Sequence, residues 1–198
     1  TLEDFAGMFR YSKLIEDINN ADTSILSNIT TVRMYKYFTP TLNSGIKYTL
    51  SYNNALYNPH SGHNSSGGGV ISSSGFKVNN DSSLNEHFLD DDGAGNLRLY
   101  YLSGTTRVYT DTTYGTVNYT TGEVVLTSAH ITSISNVDGA TSTQVRVFAT
   151  PSSNDVVPVR NQVLSIDTSN STITGEVDGI ESGSSQAGTT YTTTSSYS

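Results

Sequence analysis

The chain has neither cysteine nor tryptophan among its 198 residues, and it has only 4 prolines. Without cysteine there is no disulfide framework and no thiolate metal site, which favours assembly in a reducing cytoplasm. The sequence shows no positively charged, apolar leader and no apolar run close to the length of a membrane span, so we expect no membrane partner. Because it starts at Thr1 without an initiator methionine, we expect a processed chain or part of a larger protein.

Positive charge is also scarce. The chain carries 10 lysines and arginines against 18 aspartates and glutamates, for a net charge of −8, and the basic residues are scattered from Arg10 to Arg160. A groove that follows nucleic-acid phosphates needs concentrated positive charge, so we expect no nucleic-acid partner. The hydrophobic content is only 34% and the mean hydropathy is −0.33, which with abundant Ser, Thr, Asn and Gly is typical of a loop-rich β protein.

One helical pattern is present, close to the N-terminus. Leu14, Ile15 and Ile18 fall on one side of a short helix, for which Ser12 is a suitable N-cap. The two asparagines that follow, residues 19–20, end the helix. We therefore predict a short helix in this segment.

Beyond the helix, the pattern changes from helical to extended. Residues 21–27 predict one more turn, with Asp22 as its N-cap and with Ile25 and Leu26 returning to the core. Residues 31–38 then alternate with a period of two, which predicts a strand. Its two faces are Val32, Met34, Lys36 and Phe38 on one side, and Arg33, Tyr35 and Tyr37 on the other.

The rest of the chain reads as β-structure. The predicted fold class is mainly β (α+β), with antiparallel hairpins, a sheet or sandwich, and a short helical segment at the N-terminal end. We expect the strand at 31–38 to form a hairpin with residues 46–52. Further strands are predicted at 70–78 with a break at 73–75, at 131–134 and at 144–149, the last two separated by an Asp138-Gly139 turn.

Two hairpins can be read residue by residue. With Ser103-Gly104 as a two-residue loop, one face of the first hairpin is apolar and the other carries arginine and tyrosine within reach of cation–π contact. Its predicted pairs are Leu99 with Val108, Tyr100 with Arg107, and Arg98 with Tyr109. With Thr121-Gly122 as the loop of the second hairpin, the predicted pairs are Tyr119 with Val124 and Val117 with Leu126.

Two segments invite a metal hypothesis. His60 and His63 have a spacing that zinc sites use, but the nearest third histidine, His87, lies in another segment, so we interpret them as an exposed loop pair. The run 90–96, DDDGAGN, resembles a calcium loop, in which Asp90, Asp92 and Asn96 would supply oxygens. Phe88 stands where such a loop begins with Asp, and no Glu follows at the bidentate position. We therefore predict a turn between two strands, with calcium as the alternative, and no metal or cofactor.

Catalytic signatures are missing. There is no G-x-S-x-G context for a nucleophilic serine, and the glycine run 67–69 lacks the Lys-Ser/Thr of a phosphate-binding loop. His130, at the end of a predicted strand, is interpreted as structural. We predict that the chain is not an enzyme and has no small-molecule substrate.

A family resemblance appears in the N-terminal segment. The run SKLIEDINNADTSILSNITTVRM resembles the baseplate wedge proteins of contractile-tailed, T4-like bacteriophages, which are relatives of the baseplate J proteins. The segments HFLDDDGAGNLRLYY, GTVNYTTGEVVL and PSSNDVVPVRNQVLSID look like the remainder of the C-terminal half of such a protein, as found in phages of cyanobacteria. The resemblance then covers nearly the whole chain and carries over no site residues.

The resemblance implies a structural subunit of a baseplate wedge. Such a subunit would self-associate and contact other wedge proteins in the virion tail, after assembly in the host cytoplasm. The alternative is a β-sandwich module that binds a carbohydrate or receptor, because the 13 tyrosines can line a groove. The absence of tryptophan weighs against a sugar-stacking platform. Exposed tyrosines in one concave strip would favour the module, whereas separate flat patches would favour assembly.

The resulting organisation has four parts. We expect a helical lead-in at 1–27 that continues from a preceding domain, an antiparallel β domain at 28–150, edge strands at 163–167 and 172–177 within the segment 151–180, and a tail at 181–198. The tail lacks Ile, Leu, Val and Phe, so it has too little apolar surface to order itself. We predict that it adds a strand to a sheet edge of a neighbouring subunit, with an edge of this same chain as the alternative, and with Tyr191 and Tyr197 as interface residues.

Overall fold

The computed structural model describes residues 7–63, 69–158 and 163–176. By its internal contacts the chain divides into two units, Thr1–Leu164 and Ser165–Ser198. In the described part, the first unit holds one α-helix and nine β-strands, and the second holds a 3-10 helix, Thr168–Asn170. The four-part division made from the sequence stays a prediction.

The mainly β fold with one short N-terminal α-helix, predicted from the sequence, is confirmed. The helix α1 spans Tyr11–Asn19. The strands are β1 Met34–Phe38, β2 Gly45–Ser51, β3 Ile71–Ser73, β4 Phe76–Val78, β5 His87–Asp91, β6 Asn96–Ser103, β7 Thr106–Asn118, β8 Glu123–Ile134 and β9 Val145–Ala149. All the pairings between these strands are antiparallel.

The helix α1 begins at Tyr11, two residues earlier than an N-cap at Ser12 would place it, so Ser12 is not its N-cap. The flanking residue is Arg10, which makes no capping bond with its side chain. Instead, the amide of Tyr11 donates to Oδ1 of Asp155 at 2.8 Å. A carboxylate from a distant segment therefore satisfies an amide that the local sequence leaves open.

After α1, the predicted turn forms but one of its core assignments is wrong. The Ile25 amide donates to the carbonyl of Asp22 at 3.1 Å, and Oδ1 of Asp22 accepts the amide of Ser24 at 2.8 Å. Leu26, which we expected in the core, is 76% exposed. One isolated turn does not reach far enough to place both apolar residues against the sheets.

The larger sheet closes on itself through β8. β8 pairs with β7 and with β2, and through its last residues it also pairs with β4. Since β4 to β7 also pair in succession, the five strands β4 to β8 form a barrel-like sheet, with β2 beside it. Gly115 permits the close approach of β7 and β8, because a Cβ there would lie 1.9 Å from the carbonyl oxygen of Val125.

The second sheet has three strands in the order β1-β9-β3. The predicted hairpin between residues 31–38 and 46–52 is therefore wrong, because β1 pairs with β9 and β2 pairs with β8. The predicted break at 73–75 is confirmed, and it passes the chain from β3 in the small sheet to β4 in the large one. The Asp138-Gly139 turn is also confirmed, with positive φ at both residues.

Both residue-level hairpin registers are wrong by two residues. In the first hairpin Ser103 pairs with Thr106 and Tyr100 pairs with Tyr109. In the second, Asn118 pairs with Glu123 and Val117 with Val124. Because side chains alternate with a period of two, this shift keeps every residue on its predicted face.

The core is a single apolar cluster to which both sheets contribute. The small sheet supplies Ile71, Val145, Val147 and Ala149, and the large sheet supplies Phe76, Leu89, Leu97, Leu126 and Ile131. Each fully buried large side chain stabilises the fold by about 1.5–3 kcal/mol.

Towards the C-terminus, the predicted edge strands at 163–167 and 172–177 do not form in the part of those segments that the structure describes, residues 163–176. Two of the apolar residues in this described part, Ile166 and Ile173, are 51% and 95% exposed. Among the helices in the described part of the chain, none is long and apolar enough to cross a membrane.

Candidate functional site: interaction surfaces and polar clusters

The outer face of the three-stranded sheet carries a group of arginine and aromatic side chains. Met34 and Phe38 of β1 pack against the core, so the alternating residues of the strand point outward. We call this surface the arginine–tyrosine face; it consists of Arg33, Tyr35, Tyr37, Arg146 and Phe148. Cross-strand pairing places Tyr35 opposite Phe148 and Tyr37 opposite Arg146.

The side chains of the arginine–tyrosine face stack on one another. The guanidinium carbon of Arg146 lies 5.4 Å from the ring centre of Tyr35 and 5.5 Å from that of Tyr37. Arg33 lies 5.4 Å from the ring centre of Phe148, and its Nη2 donates to Oγ of Ser72 at 2.7 Å. These contacts hold the side chains in place, and side chains that are already ordered lose less entropy in any binding event.

The exposure and charge of this face suit a protein interface. Tyr37 is 46% exposed, whereas Arg146 is 8% exposed and pairs with Asp138 at 3.0 Å. Tyrosine and arginine are the residue types enriched at the centres of protein interfaces. Among the described residues, the outer edge of β1 has no strand partner, so the same sheet also offers one edge for strand addition.

The arm between α1 and β1 exposes large apolar side chains. Ile29 is fully exposed and Leu26 is 76% exposed. The arm is nevertheless anchored to the helix, because the hydroxyl of Tyr11 donates to the carbonyl of Thr30 at 3.0 Å. An anchored segment with exposed apolar groups is a second surface suited to contact with another protein.

A buried ion network lies on the outer face of β5, β6 and β7. Asp90 is 1% exposed, and its two carboxylate oxygens accept bonds from the Arg98 side chain at 2.9 and 3.2 Å. One of them also accepts from Nη1 of Arg107 at 2.7 Å and from the hydroxyl of Tyr109 at 2.8 Å. Burial raises the pKa of Tyr109, and the bond to Asp90 raises it further.

The cation–π contacts predicted for this hairpin are present in spite of the shifted register. The Arg98 guanidinium lies 4.4 Å from the ring centre of Tyr109, and that of Arg107 lies 4.7 Å from the ring centre of Tyr100. They are diagonal rather than direct neighbours, within reach of long side chains. The central role of Asp90 was not predicted. The period of two in the strand places Asp90 on the same face as Phe88 and Arg98, and this pattern is visible in the sequence.

The neighbouring carboxylate, Asp91, points to the opposite side of β5. Its Oδ1 accepts the amide of Ile71 at 2.8 Å, and its Oδ2 accepts the hydroxyl of Tyr119 at 2.7 Å. Burial raises the pKa of Tyr119, with a further contribution from Asp91. Asp91 therefore ties the small sheet to the loop of the second hairpin.

The segment 90–96 forms the predicted turn. Oδ1 of Asp92 accepts the amides of Ala94 and Asn96 at 2.8 and 2.9 Å, and Gly93 has a φ of +73°. Although partial burial opposes it, hydrogen bonding to Asn96 and Ala94 holds the pKa of Asp92 below its usual range. The three candidate calcium ligands do not converge: Asp90 lies in the arginine network, and Asp92 and Asn96 bond to each other.

The candidate zinc pair lies in an exposed loop. Nδ1 of His63 is 3.3 Å from Nε2 of His60, and the His63 ring also packs on Tyr57. Within the described ranges, no three His, Cys, Asp or Glu side chains are grouped closely enough to hold a metal ion. His87, the third histidine that was considered, is fully buried elsewhere.

Within the described ranges, the tyrosines with ring contacts form separate groups instead of one strip. Tyr35 and Tyr37 lie on the small sheet, Tyr100 and Tyr109 lie on β6 and β7, and Tyr57 contacts His63. The two predicted interface residues, Tyr191 and Tyr197, lie outside the described residues. A groove of about 570 Å³ runs beside the loop of the second hairpin, and Tyr119 is its one aromatic lining residue in the part of the chain described.

The comparison with known proteins bears on the N-terminal segment. Residues 1–37 match the family described as baseplate structural protein gp6, C-terminal domain III. No match to a curated protein was found. The matched segment includes α1 and the exposed arm, and it ends inside β1, so it supplies Arg33, Tyr35 and Tyr37 of the arginine–tyrosine face.

The match covers residues 1–37, so its support applies to that segment. The resemblance that we expected over nearly the whole chain is found for residues 1–37, and over residues 38–198 it stays a prediction. Through residues 1–37, the chain is similar to a baseplate structural protein, which supports a structural role in the virion tail.

Proposed function

We propose that the chain is a structural subunit of the tail baseplate wedge that works by self-association and by contact with other wedge proteins. The proposal rests on the position of the matched segment, which ends within the arginine–tyrosine face. Residues 1–37 match a baseplate protein, and their last residues supply three of the five residues of the arginine–tyrosine face. The similarity and the surface suited to a partner thus coincide.

The arrangement of the other surfaces supports assembly over carbohydrate binding. The tyrosines form separate groups, which suits several neighbours, and the groove beside the second hairpin offers a single aromatic ring. Sugar platforms depend on stacking against aromatic faces. The proposal includes two further points that the resemblance implies. The wedge is of the cyanophage type, and it assembles in the host cytoplasm.

A pair of tyrosine variants tests the arginine–tyrosine face. Tyr37→Ser removes a ring that is 46% exposed on this face, and Tyr57→Ser removes one that is 43% exposed elsewhere. Loss of an interface hot spot of about 2 kcal/mol weakens association about 30-fold. We expect this loss in sedimentation velocity for Tyr37→Ser and not for Tyr57→Ser.

A charge reversal completes this test. Arg33→Glu places a carboxylate in the face, whereas Lys47→Glu makes the same charge change at an exposed position of β2. We expect only Arg33→Glu to dissociate the assembly. If both face variants associate as tightly as the unmodified chain, the face is not the contact.

The tail is the second proposed contact. Strand addition by residues 185–198 to an edge of a neighbouring subunit would place Tyr191 in a pocket, with Tyr197 as a further contact. Deleting these residues should leave the melting temperature nearly unchanged while weakening association. A truncated chain that associates as tightly as the intact one would refute the tail contact.

A further inference from the structure

A polar cavity that the proposed function does not use lies among β4 to β8. Its volume is about 170 Å³, room for about five or six water molecules. Most of its lining residues have polar side chains, among them His87, Asp81, Asp111, Tyr114 and His130. Among its lining residues in the described part of the chain there is no lysine or arginine.

His87 presents an unused acceptor at this cavity. The residue is fully buried, and its Nδ1 lies 3.1 Å from the carbonyl oxygen of Asn85. A carbonyl only accepts, so Nδ1 carries the proton in the neutral ring and Nε2 is left with a lone pair. Within residues 7–63, 69–158 and 163–176, Nε2 has no hydrogen-bond partner.

Two further groups extend this acceptor set. The hydroxyl of Tyr114 is buried, and among the described residues its one neighbouring donor is the backbone amide of His130, which lies outside ideal hydrogen-bond geometry and leaves the oxygen able to accept. Burial, with a contribution from Asp111, raises the pKa of Tyr114 to about 12, so the hydroxyl stays neutral at neutral pH. Oδ1 of Asp111 accepts the amide of Thr113 at 2.7 Å, which leaves its Oδ2 available.

We propose that this cavity binds an alkylammonium group, with Nε2 of His87, the hydroxyl oxygen of Tyr114 and Oδ2 of Asp111 as acceptors. An alkylammonium group has three N–H donors and no acceptor, which matches an acceptor-rich lining. Its charge is complemented by Asp111 and Asp81. A divalent metal does not fit, because the described residues contain no group of three suitable ligands.

The group can come from a free amine or from a lysine side chain of another protein. Nitrogen correlation spectra of the full chain at neutral pH report on the Nε2 atom of His87 directly. Methylammonium stands for the free amine, and Nα-acetyl-lysine methylamide stands for the side chain. We expect saturable shifts with a Kd in the millimolar range, because so few ligand atoms are in contact. Tighter binding of the lysine derivative would assign the site to a side chain, and tighter binding of methylammonium would assign it to a free amine.

Matched controls separate recognition from general ionic effects. Tetramethylammonium has the same charge but no N–H donor, so it should leave the His87 signal in place, as should sodium chloride. Asp111→Asn and Tyr114→Phe should each weaken binding at least several-fold. Asp22→Asn is the matched control for Asp111→Asn, because Oδ1 of Asp22 likewise accepts the amide of the residue two positions later. The Asp22→Asn variant should bind methylammonium normally.

Three results would overturn the proposal. One is the absence of any saturable shift, which would mean that the cavity holds only water. Another is an equal response to methylammonium and tetramethylammonium. The third is undiminished binding by both Asp111→Asn and Tyr114→Phe, in variants whose backbone amide spectra show that the fold is kept.

Discussion

Replacing Asp90 by asparagine should destabilise the protein far more than its single lost charge suggests. The carboxylate is 1% exposed, and it neutralises Arg98, whose side chain is only 7% exposed. Asparagine keeps the volume but leaves the guanidinium buried without its counter-charge. Breaking a buried ion pair on one side costs about 3–5 kcal/mol.

The loss can be measured by urea unfolding and by thermal melting. For an ordered unit of this size, about 3–5 kcal/mol corresponds to a fall in the melting temperature of roughly 6–20 °C. The matched control is Asp17→Asn, which breaks a 2.8 Å pair with Lys13 in which both side chains are about 60% exposed. Exposed pairs of this kind contribute far less to stability than buried ones, so the control should melt close to the unmodified chain.

A double variant distinguishes an unpaired charge from a general packing defect. In Asp90→Leu with Arg98→Met, both charges are removed together, so no buried charge is left alone. Arg107 keeps solvent access, with 31% of its side chain exposed. The double variant should therefore be more stable than Asp90→Asn. The reasoning is refuted if Asp90→Asn costs no more than Asp17→Asn, or if the double variant loses the sum of its two single changes.

Three further predictions concern single sites. Gly115→Ala should lower the free energy of unfolding in urea by about 3 kcal/mol, since its Cβ would meet the backbone of Val125. Gly104→Ala, at φ +63° in open space, should lower it by about 1 kcal/mol. Equal losses would contradict this. The raised pKa of Tyr114, about 12, means that its contribution to stability is complete below pH 10 and is lost as pH rises towards 12, by up to about 1.4 kcal/mol per pH unit. Tyr114→Phe should flatten the pH dependence of the urea midpoint in this window, and an unchanged slope would count against the assignment. Millimolar calcium should leave the melting temperature unchanged, because Oδ1 of Asp92 already accepts two amides; a rise of several degrees that Asp92→Ala abolishes would show a calcium site.

Local patterns in the sequence were enough to predict much of the fold. The 3.6-residue period of Leu14, Ile15 and Ile18 predicted α1, and the period of two predicted the faces of the strands. The same alternation cannot fix a register, because a shift of two residues preserves both faces. Both hairpin registers were wrong for this reason, while the contacts of Arg98 and Arg107 with tyrosine rings were confirmed.

Long-range contacts could not be predicted in this way. β1 pairs with β9, more than a hundred residues away, so the joining of Tyr35 with Phe148 into one face depends on topology that no local pattern contains. The cap of α1 by Asp155 is missed for the same reason. The cavity beside His87 likewise assembles from five strands and leaves no motif.

Cross-linking of purified contractile tails, followed by mass spectrometry, tests the central claim most directly. Lys13 lies on the exposed side of α1 and Lys36 lies on β1, both within the segment that matches a baseplate protein. If the chain is a baseplate wedge subunit, it will be present in intact tails and cross-links from Lys13 or Lys36 will reach other baseplate proteins. A chain that is absent from purified tails, or that cross-links to no baseplate protein, would contradict the account.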